Sequence, residues 1–161
     1  MATVKPIPAG MHSVTPNLVI AGCEKAMTFY RKALGAEVVS TFPSPDKKSI
    51  WHAELRIGDS IFYCADEMPG MSPPPPSTSH PSSVSFWLWV KDCDAAFKRA
   101  IDAGCTVKGK PEDMFWGDRC GAVADPYGYA WTFSTRVKEL TRDEMVKAGE
   151  EFAKKMGMGA K

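Results

Sequence analysis

The chain has 161 residues, 44% of them hydrophobic and 24% charged, with a formal net charge of +1. Those values describe one globular domain or two small modules sharing a core. With Lys and Arg spread along the chain, they give no footprint for nucleic acid or an anionic membrane. The longest apolar runs, such as 86–90, are too short to cross a bilayer, and the N-terminal MATVKPIPAGMHSV lacks the apolar stretch of a secretion signal. A cytoplasmic protein is expected.

In chain order, VTPNLVI reads as a strand. It runs through a Gly22 turn into an amphipathic helix carrying Ala26, Met27, Tyr30 and Leu34 at helical spacing, with acidic Glu24 in its first turn. After Gly35 the pattern changes to period two. WHAELRIGDSIFYCAD gives strand, Gly58–Asp59 turn, strand, which is a hairpin signal. MPGMSPPPPSTSHPSS follows, and its Pro73–Pro76 run belongs to neither a helix nor an interior strand.

Then the order repeats. VKDCDAAFKRAIDAGCTVK, from Val90, matches VIAGCEKAMTFYRKALGAEVV, from Val19. Cys23 falls on Cys93, Glu24 on Asp94 and Gly58 on Gly128, an offset of about 70 residues that marks duplicated units. The second helix carries Ala96, Phe97, Ala100 and Ile101, and CGAVADPYGYAWTFST supplies the second hairpin. The sequence thus divides into a first β-α-β-β-β module at 11–70, a Pro-rich linker at 71–82, a second module at 83–137 and a helical tail at 138–161. In that tail Thr141 and Glu144 have the spacing of a capping box, and Met145, Ala148, Phe152 and Met156 form a face for docking on the body or on a partner subunit. The fold class is α+β: two βαβββ modules forming a curved mixed sheet with a concave cup.

Strand alternation selects the residues that face the cup. In WHAELRI they are His52, Glu54 and Arg56; in VTPNLVI, Thr15, Asn17 and Val19; in VSFWLWV, Ser85, Trp87 and Trp89; in YAWTFS, Thr132 and Ser134. A three-residue loop at 57–59 would add Phe62 to the same side, whereas a two-residue loop would not. Aromatic walls with a few placed polar groups are the usual make-up of a ligand pocket. His52 and Glu54, about 7 Å apart along one strand face, read as a displaced metal site, as an acid–base pair, or as a cluster neutralised by Arg56. Arg119, beside Asp118, reads either as a bidentate anchor for an anionic ligand or as a brace for its loop. Trp87 and Trp116, with Phe62, read as walls, and the two exposed-looking imidazoles, His12 and His80, as surface groups. The five cysteines have wide spacing and no CxxC, so they form neither a disulfide framework nor a zinc knuckle.

The duplicated units, AMTFYRKALGAE in the first and DPYGYAWTF closing the second, resemble the vicinal oxygen chelate superfamily of glyoxalases, bleomycin-resistance proteins and extradiol dioxygenases. ADEMPGM, the linker, DMFWGDRCGAVADPYGYAW and the TRDEM tail are most similar to its PhnB-like branch. The resemblance covers roughly residues 11–150. It implies a homodimer and a small-molecule cup. The metal enzymes of this group carry ligands at four equivalent positions, which fall here on Thr15, Phe62, Ser85 and Thr132. None has the imidazole or carboxylate that a divalent ion needs, so no metal and no other cofactor is expected. Two functions remain open: metal-independent binding of a small organic molecule, or a lyase- or isomerase-type enzyme with Glu54 as base and His52 or Arg119 stabilising an enolate-like intermediate, with or without a metal at a non-standard site.

Overall fold

The computed structural model describes residues 4–157. The first module runs β1 (Asn17–Val19), α1 (Cys23–Leu34), β2 (Glu37–Pro43), β3 (Ile50–Ile57) and β4 (Ser60–Ala65). The second runs β5 (Ser85–Trp89), α2 (Cys93–Ala103), β6 (Thr106–Asp113), β7 (Asp118–Ala124) and β8 (Ala130–Arg136), and α3 (Arg142–Lys155) follows. Each module makes its own four-stranded sheet, in the orders β1-β4-β3-β2 and β5-β8-β7-β6. The first and last strands of each module are parallel and the other pairings antiparallel. This is the expected duplicated α+β architecture.

The two helices start on different caps. The first amide groups of α1 are satisfied from a distance: Asp66 Oδ1 accepts from the N–H of both Gly22 and Cys23 at 2.9 Å, while its Oδ2 accepts from Ile50 N–H at 2.7 Å. In α2 the cap is local, Asp92 accepting from Ala95 N–H at 3.0 Å. The tail helix α3 has the full capping box between Thr141 and Glu144, and its Phe152 lies against Phe115 with ring centroids 5.2 Å apart.

One side of each sheet is sealed by its helix. In the first module Leu18, Ala53, Leu55, Phe62 and Cys64 are buried against Ala26, Met27 and Tyr30; in the second, Val123, Trp131 and Phe133 lie with Cys93, Ala96 and Ala100. The modules meet through these same sides. Helix α1 packs on α2, Arg99 Nε donates to the Ala33 carbonyl, and Tyr30 and Phe62 make ring contacts with Trp131 at 5.5 and 6.1 Å. Asp125, 2% exposed, anchors the join. It accepts from Tyr30 O–H at 2.8 Å, from Trp131 Nε1–H at 2.9 Å and from the backbone N–H groups of Tyr127 and Tyr129. Tyr129 in turn donates its hydroxyl to the Val19 carbonyl. Burial and the Asp125 carboxylate push the Tyr30 phenol far above its ordinary range, so it stays a donor.

Two expectations are corrected. Among the described residues no strand ladder joins the two sheets edge to edge. The helix-facing sides turn toward each other, so the opposite, open faces look outward and do not form one cup within the chain. The β3–β4 turn also has two residues, because Ile57 pairs with Ser60 across Gly58–Asp59. Gly58, at φ 60°, takes the left-handed conformation that such a turn requires. The register therefore sets Glu54 opposite Tyr63 and Leu55 opposite Phe62. Phe62, expected in the cup, is in the core.

Candidate functional site

The open face of the first sheet is polar. Register places Asn17, Tyr63, Glu54 and Ser40 in one row across four strands. His52 stands beside Glu54 with Nε2 3.8 Å from Oε1; the side chains are 37% and 23% exposed. The His52 ring is edge-on to Tyr63, centroids 4.6 Å apart, and Tyr63 O–H points to Met11 Sδ at 3.7 Å. Arg56 reaches outward to Glu37 at 2.5 Å and does not neutralise Glu54. Among the described residues Glu54 has no Lys or Arg partner within ion-pair distance. Thr15 leads into β1, half-buried.

The open face of the second sheet is aromatic. Trp87 pairs in register with Thr132, and Trp89 with Ser134; Ser85 begins the strand. Trp87 and Trp89 are 49% and 61% exposed, while Ser134 and Cys120 beneath are buried and in mutual contact at 3.3 Å. Arg136 lies over the Trp89 ring at 5.7 Å and is ion-paired with Asp118.

Arg119 does not reach this face. Adjacent residues of β7 point to opposite sides, and Arg119 is on the helix side. It is held by Asp94 of α2 at 2.6 and 2.9 Å and by Asp113 at 3.0 Å. Those carboxylates hold its guanidinium even further into the charged range, and the brace reading replaces the ligand-anchor reading. Asp118, 3% exposed, is occupied by Arg136. Trp116 packs edge-on against Phe115 in the loop before β7, centroids 4.9 Å apart. Of the aromatic walls expected from sequence, Trp87 is on an open face. It also borders a groove of about 410 Å³ at the join, lined by Pro16, Phe62, Phe86, Leu88 and Trp131. Tyr63 and Arg136 are the face residues that sequence reasoning missed. A two-residue reading of the Gly58–Asp59 turn would have identified the first.

The donor set does not fit a divalent metal. His52 and Glu54 supply one imidazole and one carboxylate, and around them and on the other face Asn17, Tyr63, Ser85, Trp87 and Thr132 offer only hydroxyl, amide and indole groups, too few strong donors for a divalent ion. No group of three His, Cys, Asp or Glu side chains able to hold an ion occurs among the described residues. All five cysteines are buried and free, so neither open face presents a thiol nucleophile to a ligand. Desolvation raises the Cys93, Cys105 and Cys120 thiols, Cys105 to about 12. Within the described residues no helix is long and apolar enough to cross a membrane.

Comparison with known proteins follows the same lines. Protein Rv0887c of Mycobacterium tuberculosis is 39% identical over 136 residues, which cover 83% of this chain and 79% of that protein. The X-ray structure of the Arabidopsis thaliana At5g48480 product superposes with a TM-score of 0.61 at 30% identity, covering 77% of this chain and 98% of that one. A PhnB protein from Bacillus cereus shares the fold at 16% identity, with a TM-score of 0.59 over 77% of this chain and 99% of that one. The family model matches residues 10–133, and the chain belongs to the Glyoxalase/Bleomycin resistance protein/Dioxygenase superfamily.

Proposed function

We propose that this protein binds a small organic molecule, without a divalent metal, in a cup completed by a second copy of the chain. The observation that carries the reading is the exposure of Trp87 and Trp89, 49% and 61%, on the open sheet face. Indoles at that exposure have apolar surface to bury, and a ligand ring or a facing sheet supplies it. One chain has one polar face and one aromatic face, turned away from each other. A twofold pair sets the polar face of each copy against the aromatic face of the other and closes both cups at once. The ligand then stacks on Trp87 and Trp89 and is oriented by Glu54, His52, Asn17, Thr132 and Ser85. The resemblance to the PhnB-like branch implies a small-molecule cup and a homodimer, and a cytoplasmic dimer is the form proposed.

The test has two parts. Glu54→Cys in one preparation and Thr132→Cys in another, mixed and mildly oxidised, should give a covalent heterodimer that neither forms alone. A monomer by light scattering would sink the shared cup. Thermal-shift screening of aromatic and amphipathic compounds should then find binders whose affinity falls at least about tenfold on Trp87→Ala.

A second reading is favoured by the His52–Glu54 approach of 3.8 Å: a lyase- or isomerase-type enzyme with Glu54 as base and His52 beside it. Arg119, on the helix side, takes no part. Glu54→Gln would abolish turnover and leave binding largely intact; in the binder reading no turnover exists to lose.

A further inference from the structure

Cys23 begins α1, and Cys64 is on β4 beside Leu18 of β1. Both are 0% exposed and their sulfurs are 3.3 Å apart. Two thiols in contact inside a core need to move together by little more than 1 Å to bond, since a disulfide is about 2.05 Å long. The corresponding thiol of the second module, Cys93, instead donates to the Phe133 carbonyl.

We propose that Cys23 and Cys64 are a peroxide-oxidisable pair whose disulfide locks the start of α1 onto its sheet. The reaction balances as two steps. A thiolate attacks the peroxide, becomes a sulfenic acid and releases hydroxide; the second thiol then displaces that oxygen as water and the S–S bond forms. Two thiols are oxidised and one peroxide is reduced to two waters. In the closed protein the Cys64 contact and burial raise the Cys23 thiol far above its ordinary range, so the first step passes through an opened state. Asp66 controls that opening, because it alone caps the Gly22 and Cys23 amides. The inference is independent of what the open faces bind.

Native protein treated with hydrogen peroxide should lose 2 Da with a Cys23–Cys64 linked peptide on digestion, the loss expected of one disulfide. Its unfolding temperature should rise by roughly 5 °C. Asp66→Ala should speed the cross-link roughly fivefold, the effect of losing a cap worth about 1 kcal/mol. Cys64→Ser should remove it, and Cys23→Ala gives the same reading if that variant folds poorly. Absence of the mass loss, a linkage between other cysteines, or an Asp66→Ala rate equal to wild type would overturn the proposal.

Discussion

The two modules share a chain path but differ in what their two sides carry. On the helix-facing side they match: small residues and thiols at the helix start, aromatic and aliphatic side chains on the last strand, a common core centred on Tyr30, Trp131 and Asp125. On the open side they diverge, with Asn17, His52, Glu54 and Tyr63 in the first and Trp87, Trp89, Thr132 and Arg136 in the second. A closed side tolerates only residues that fill it, since interiors are packed to crystal density. The open side is free to take different chemistry. A duplicated chain can thereby make one heterogeneous pocket from two related halves.

That contrast can be broken most forcefully at the join. Asp125→Ala leaves Tyr30 O–H, Trp131 Nε1–H and the backbone amides of Tyr127 and Tyr129 without this acceptor, and should cost about 3 kcal/mol or more by urea unfolding. A loss under about 1 kcal/mol would mean that the modules are not held there. On the open side Trp89→Ala should change stability by no more than about 0.5 kcal/mol, the usual effect of a surface substitution, while weakening any ligand found by screening. Equal losses at the two sites would erase the distinction between sides. The smallest effect concerns Asp94, whose carboxyl the hydrogen-bonded Arg119 holds below the ordinary range. A lowered folded-state value stabilises above the unfolded carboxyl value and is lost as pH falls through the folded one. Asp94→Asn should therefore lower stability slightly at neutral pH, converge on wild type in strong acid, and so flatten the acid limb of a stability–pH curve below about pH 4.

Much of this was legible from residue order. Period two assigned the faces of β1, β3, β5 and β8, and the repeat gave the module order, because both are local and set by side-chain spacing. Phe62 was misplaced because one residue more or less in the Gly58–Asp59 turn reverses every side chain that follows. Arg119 was ambiguous because Asp118 and Arg119 are neighbours with equal claim to either face, and only pairing with Arg136 and Thr135 decides. The outward turn of the open faces was not legible at all. It depends on Tyr30 meeting an aspartate 95 residues away, and nothing near either residue announces that contact.

The proline-rich stretch between the modules does more than separate them. Gly128 has no room for a side chain, because an added Cβ would lie 2.6 Å from the Ser77 carbonyl oxygen. Ser82 N–H donates to the Gly128 carbonyl at 2.9 Å. The linker is thus clasped onto the turn that opens β8, the strand bearing Trp131. Extra residues inserted at 77–82 would prise that turn from its seat, whereas the same insertion at the exposed Gly70–Met71 bend would pass unnoticed. In a chain assembled from two copies of one module, the connecting segment has become a part of the second module's own architecture.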